Sequence, residues 1–286
     1  MTPCIVANER DPFDLPEDRH HVLNVSGGLT SGYMLWRFLD FYDGTLPDNV
    51  SVIFANTGKE RPQTLDFLRD MEEAWSVPIT WVQYYYDGAR RGTKNDQRHR
   101  VSVVDYATAS RDGTPFRQMI QARRVPNITM RLCTWDLKVM SISRYLRWFR
   151  GIKNHVDVVG IRKDERRRAA RLLRQECRIY VPLYYAGVTL RDVTAFWDAQ
   201  EFPKNFRTGA IWSNCDLCFL KTRSEKLRIL RDDPSVADWW IDMEETHGGT
   251  FRRDYSVREL TEIANGTGEQ LGLWGDEPTY SCFCGD

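Results

Sequence analysis

One stretch constrains the fold more than any other: Val22-Leu23-Asn24-Val25-Ser26-Gly27-Gly28-Leu29-Thr30-Ser31-Gly32. Its apolar run stops at Ser26. Two glycines follow, then a hydroxyl pair, then an apolar-rich helical run from Tyr33 to Phe41. That order spells a strand, a loop the size of a phosphate and the start of a helix. Glycine lets backbone approach an anion closely, and the first amides of a helix aim their N–H groups at it. Thr30 and Ser31 are N-cap candidates with hydroxyls to spare. An ordinary strand-to-helix turn has the same local shape, so the rest of the chain must decide between the two. The loop is neither Gly-x-Gly-x-x-Gly nor a Walker loop, which needs Gly-Lys-Ser/Thr at a fixed spacing.

Strand-like and helix-like patterns then alternate, which predicts an α/β fold: a parallel twisted sheet with helices on both faces. Strands are expected at His21–Val25, Val50–Ala55, Ile79–Tyr86, Val156–Gly160 and Arg178–Pro182. Helices are expected at Thr30–Tyr42, Arg61–Trp75, Trp135–Phe149 and Thr189–Ala199, the last capped by Thr189. Asp87 to Asn127 loses its period and reads as a substrate loop or a variable insertion. From Glu201 the texture changes, with a Cys pair, a helix over Ser224–Leu230 and another around Trp239-Trp240. The expected organisation is therefore an N-terminal surface arm over 1–20, a nucleotide-binding α/β domain over 21–200, and a small, mostly helical subdomain and tail over 201–286. The chain's 286 residues suffice for such a core.

Charge excludes some functions. Forty basic residues balance forty acidic ones, so no global field announces nucleic acid, although local clusters can still hold phosphates. No apolar run approaches the roughly 18 residues of a membrane span. The first twenty residues lack the basic-then-apolar layout of a signal peptide. A cytoplasmic protein is expected. Its seven cysteines then read as metal ligands, catalytic groups or buried thiols rather than disulfides.

Ligands of open α/β sheets bind at the carboxyl ends of strands. Two further loops fall there. Strand two ends in Asn56-Thr57-Gly58-Lys59-Glu60, with Thr64 in the following helix. The Val156–Gly160 strand ends in Gly160-Ile161-Arg162-Lys163-Asp164-Glu165. Arg162 suits phosphate or sulfate oxygens, and Asp164 and Glu165 either orient the arginines or ligate Mg2+ if ATP is cleaved. Arg166 to Arg174 also fits a solvated helix face. His99 is a modest candidate for substrate contact. Of Tyr84-Tyr85-Tyr86, at least one belongs in the core, and the others are placed to stack an adenine.

Ser26-Gly27-Gly28-x-x-Ser31 resembles the PP-loop of the ATP-pyrophosphatase superfamily, which includes phosphoadenosine phosphosulfate (PAPS) reductases and tRNA thiolation enzymes. Many members carry Lys-Asp where this chain has Leu29-Thr30. The Asn56-Thr57-Gly58 turn and the Gly-x-Arg-x-Asp-Glu string resemble the PAPS-reductase branch. The resemblance implies an adenine nucleotide alpha hydrolase-like fold. It also implies an adenine nucleotide (PAPS, APS or ATP) held by Ser26, Gly27, Gly28, Thr30, Ser31, Asn56, Thr57, Gly58, Glu60, Arg162, Asp164 and Glu165.

Cys215-x-x-Cys218 is half of a tetrahedral thiolate site, and Cys133, Cys282 and Cys284 are candidates for the rest. Arg131 to Lys138 resembles the Cys-Cys-x-x-x-Lys segment of the adenosine phosphosulfate (APS) reductases, with Thr134 in place of the second Cys. That resemblance implies a 4Fe-4S cluster on Cys133, Cys215, Cys218 and Cys284. The Cys284-Gly285 tail resembles the segment that carries the reductase nucleophile. Cys282 or Cys284 then serves as catalytic thiolate and the other as ligand; Cys282 is assigned the catalytic role. The implied activity is reduction of activated sulfate with a thiol or thioredoxin-like electron donor. The alternative is ATP-dependent sulfur transfer from a persulfide donor to a nucleic acid or small molecule. A non-catalytic nucleotide-binding regulator is the third reading.

Overall fold

The computed structural model describes residues 10–88, 99–174, 178–201 and 215–266. Six strands form one sheet: β1 (His20–Asn24), β2 (Val50–Asn56), β3 (Thr80–Tyr86), β4 (His99–Val104), β5 (His155–Val159) and β6 (Ile179–Tyr180). Their spatial order is β4-β3-β2-β1-β5-β6. Every neighbouring pair is parallel except β3 and β4. The sheet is thus an α/β sheet, as the alternating pattern predicts, with one antiparallel edge that the pattern does not predict. β1 lies between β2 and β5, so the chain's crossovers leave it in opposite directions. The carboxyl end of β1 is a topological switch point, where open α/β sheets form crevices.

The helices are α1 (Leu29–Phe41), α2 (Pro62–Trp75), α3 (Thr114–Ala122), α4 (Met140–Phe149), α5 (Arg166–Leu172), α6 (Pro182–Tyr185), α7 (Leu190–Asp198), α8 (Arg223–Asp232), α9 (Val236–His247) and α10 (Val257–Ala264). One face of the sheet packs Leu23, Val52 and Phe54 against Phe38 of α1, Phe67 of α2 and Trp197 of α7. The other packs Val22, Ile53 and Val82 against Ile142, Tyr145 and Leu146 of α4. Alternate strand residues fill the two cores, as a two-sided parallel sheet demands.

The stretch before β1 departs from a surface arm over its described residues. Phe13 and Leu15 are buried in the main core, and the Tyr180 hydroxyl donates to the Pro12 carbonyl at 2.9 Å. The aperiodic stretch 87–127 contains β4 and α3 on either side of residues outside the described set. Trp135–Phe149 is not one regular helix: a π-helical segment covers Cys133–Val139 before α4 begins. Helices α8, α9 and α10 share a hydrophobic cluster with Tyr84 of β3, Phe116 of α3 and Leu137 of the π-helical segment. No helix among the described residues is long and apolar enough to cross a membrane.

Candidate functional site

The loop after β1 is held by its own hydroxyls. Ser31 Oγ accepts from the Ser26 amide at 3.1 Å, lies 3.1 Å from Ser26 Oγ and donates to the Gly28 carbonyl at 2.9 Å. Thr30 and Ser31 therefore do not cap α1. They sit within its first turn, and Gly28, in extended backbone, is the N-cap with no side chain bonding the helix amides. The first N–H groups of this 13-residue helix remain available to an anion. Gly27 adopts φ +71°, a conformation that favours glycine. It also passes directly over α2, where a Cβ would lie 2.3 Å from Thr64 Cγ2.

The loop after β5 closes over the same helix end. Gly160 is in such close approach that an added Cβ would stand 3.2 Å from the Thr30 carbonyl oxygen and 3.3 Å from Ser31 Cα. Arg162, nearly buried, donates from Nη1 to Thr30 Oγ1 at 2.8 Å. Its own amide donates to Glu165 Oε2 at 2.9 Å, and its Nε lies 3.4 Å from Asp164. Arg168 donates to the other Glu165 oxygen at 2.7 Å. Both carboxylates are thus engaged with arginine in this arrangement, and a guanidinium is fixed beside the α1 N-terminus. Arg166 and Arg167 point to solvent.

The β2 loop completes the edge. Glu60, almost fully buried, accepts from the Thr57 amide at 3.0 Å and from Thr57 Oγ1 at 2.9 Å. Asn56 accepts from the Gly58 amide and donates to Gln83 and to the Ser110 carbonyl. The same loop carries the Cys-x-x-Cys pair. Glu60 bridges Cys215 in a short antiparallel pairing, and Thr57 Oγ1 stands 3.3 Å from Cys215 Sγ. Asp216 binds Lys59 at 2.9 Å and accepts from Trp240 Nε1 at 2.7 Å. Cys218 donates its amide to the Cys215 carbonyl at 3.3 Å, the turn that sets two thiols side by side. Burial, with the Glu60 charge beside it, pushes the Cys215 thiol up; Lys138 and the Thr57 hydroxyl pull the other way.

Cys133 and Cys218 are half-buried and pack against the cluster that contains Cys215, and none of the three is in a disulfide. Among the described residues, no three His, Cys, Asp or Glu side chains gather as a group able to hold a metal ion. Cys215 and Cys218 have the chemistry and the turn of a half-site, but a complete cluster site is not assembled from the described residues. Cys282 and Cys284 lie outside them, as do Cys4 and Cys177.

His99 is buried and bonds Tyr84 through Nδ1 at 2.7 Å, so both belong to the core, while Tyr85 is exposed. The site list read from sequence omits Lys138, whose Nζ stands 4.0 Å from Glu60 and which lines a small cleft with Ser26 and Asn24. The signal available was its place in the Cys133–Lys138 string. Gln83 and Ser110, which hold Asn56, carried no local signal.

Fold and site together define a class: an α/β protein with three loops gathered at the switch point of a mostly parallel sheet, one shaped for an oxyanion and one tied to a thiol pair. No family model matches the chain. It is 27% identical over 220 residues, 74% of its own length and 70% of the relative's, to the uncharacterized nin region protein ORF290 of Escherichia phage lambda. Among solved structures it is similar to the U34-tRNA thiolase NcsA from Methanococcus maripaludis with its 4Fe-4S cluster. There the identity is 14%, the coverage 94% of this chain and 81% of that one, and the TM-score 0.33.

Proposed function

We propose that the chain is an enzyme of sulfur chemistry that binds an adenine nucleotide where β1, β2 and β5 end. The observation that carries the reading is the junction of the two kinds of site. Arg162 reaches Thr30 at the head of α1, and Thr57, in the neighbouring loop, touches Cys215. A phosphate-binding loop and a thiol pair built on adjacent strand ends suit a reaction in which a nucleotide activates one group and sulfur attacks or is delivered next to it.

Of the two reactions considered, ATP-dependent sulfur transfer is favoured over reduction of PAPS or APS. The reductases' second Cys is Thr134 here, and the tail has no Glu before Cys284-Gly285. In this reading Ser26 to Ser31 and Arg162 hold the phosphates, and Thr57 and Glu60 shape the loop that faces the thiols. A 4Fe-4S cluster, if held, would rest on Cys215 and Cys218 with Cys133 and a tail thiol. It would supply a sulfur-binding metal centre. Mg2+ would accompany ATP. The arginine contacts of Asp164 and Glu165 support an orienting role for both.

Pyrophosphate release from ATP in the presence of a persulfide donor, lost in Ser26→Ala and Arg162→Ala, is the expected result. Sulfite release from PAPS with a thiol donor, lost in Cys284→Ala, would instead establish the reductase. Tight nucleotide binding with neither activity would leave the regulator. Iron and acid-labile sulfide measured on anaerobically purified protein, with and without Cys215→Ala, tests the cluster.

A further inference from the structure

Asn24 is the residue of β1 that faces the cleft beside Ser26, and it is more than nine-tenths buried. Its Nδ2 is committed: it donates to Asp157 Oδ1 at 2.9 Å and to the Val22 carbonyl at 3.3 Å. Both partners are acceptors, which fixes the amide's orientation. Its Oδ1 is buried with no hydrogen-bond partner among the described residues. A buried carbonyl oxygen left unpaired is costly, and such an atom in a native site calls for an explanation. The cleft encloses about 330 Å3, including its open mouth, and its other walls include Val25, Ile53, Phe54, Ala55 and Ile142. That lining is apolar, as the faces of a purine require, and the space is at the lower end for small-molecule sites, about 300–1,000 Å3.

We propose that Asn24 reads the purine base: its Oδ1 accepts from the exocyclic amino group of adenine, and Asp157 is the positioning residue that keeps the amide turned that way. Adenine presents an N–H donor at this position, whereas hypoxanthine and guanine present a carbonyl acceptor. An acceptor locked toward the cleft therefore favours the amino purine and repels the keto purines. Asp157 sits on β5 opposite Val22, on the same face of the sheet as Asn24, and is buried beside His155 at 3.7 Å. The geometry thus places a specificity element in strands β1 and β5, behind the loops that hold the phosphates. This inference rests on the nucleotide-binding reading above.

The test is binding of ATP and of ITP, followed by titration calorimetry, to the wild type and to Asn24→Ala and Asp157→Asn, with each ligand-free melting temperature recorded. Wild type is expected to bind ATP about tenfold or more tighter than ITP, the value of one well-made hydrogen bond against an unpaired buried acceptor. Asn24→Ala should lose that preference, ATP affinity falling while ITP affinity holds. Asp157→Asn offers an amide donor to Asn24, frees the Asn24 amide to turn, and should shift the preference toward ITP. Equal ATP preference in wild type and both folded variants would overturn the assignment while leaving the nucleotide site intact. Failure of the wild type to bind either nucleotide would overturn the proposed function instead. Should Asn24→Ala not fold, the Asp157→Asn ratio of ATP to ITP affinity decides alone.

Discussion

Gly27→Ala is the substitution whose cost the structure specifies most completely. At φ +71° a side chain strains the backbone by about 1–2 kcal/mol. The added methyl would also stand 2.3 Å from Thr64 Cγ2, and Thr64 is fully buried on α2 with no room to withdraw. Forced overpacking of that kind costs about 1–3 kcal/mol. The two effects together predict a loss of about 2–5 kcal/mol, a large part of the roughly 5–15 kcal/mol by which domains are stable. In urea, with a slope of about 3 kcal/mol/M, the midpoint should fall by about 1 M or more. The steric share can be isolated. Thr64→Ser removes the obstructing methyl, at a cost of about 1 kcal/mol for the buried carbon. Gly27→Ala/Thr64→Ser should then retain only the backbone strain, because the new methyl occupies the space the old one vacated. The double variant should be about 1–3 kcal/mol more stable than the sum of the singles requires. Strict additivity would refute the claim that the loop is seated on Thr64. A Gly27→Ala loss below about 1 kcal/mol would refute the strained turn as well.

Three further expectations follow from the same contacts. Gly160→Ala must push on the backbone of Thr30 and Ser31, so it should lower ATP affinity about tenfold with a modest drop in melting temperature of about 1–3 kcal/mol equivalent; unchanged affinity would detach the β5 loop from the site. Asp216→Ala strands the largely buried Lys59 cation and the Trp240 N–H, and should cost about 3–5 kcal/mol in a denaturation midpoint. Lys59→Met/Asp216→Leu should cost clearly less, and equal losses would argue against the ion pair as the brace of the Cys turn. Stability should also fall on acidification from pH 6.5 toward 4. Burial, with the nearby Arg150, His155 and His21 charges, lowers the His20 pKa to about 4. Below 6.5 the unfolded chain takes up a proton that the folded chain refuses. The slope of the urea midpoint over that range should flatten in His20→Gln, by about 1–2 kcal/mol once solvent screening is allowed for; an unchanged slope would place the titration elsewhere.

What the sequence made legible was whatever short-range interactions enforce. The turn after β1, the alternation that makes β1, β2 and β3, and Thr189 at the head of α7 are written within a few residues, because strand period and capping act over that distance. Thr189 and Asp192 form a reciprocal capping box. The same signal stood before α10 in Ser256 and Glu259 and went unread, since the helix is short. β4 was invisible for another reason: it exists through antiparallel pairing with Trp81 to Tyr86, not through its own pattern. The hydroxyls of Thr30 and Ser31 looked like caps by type. Their partners show instead that Ser31 ties the loop and Thr30 receives Arg162.

The sequence by itself thus determined that the chain is an α/β protein with an oxyanion-type loop after its first strand and a thiol pair near its end. Only the tertiary structure decided which distant residues meet. Arg162 and Thr30 are 132 positions apart, Asn24 and Asp157 are 133 apart, and Thr57 and Cys215 are 158 apart. Those meetings are set by strand order and by the side from which each crossover returns. The free energy that fixes them is spread over two hydrophobic cores rather than written in any one segment.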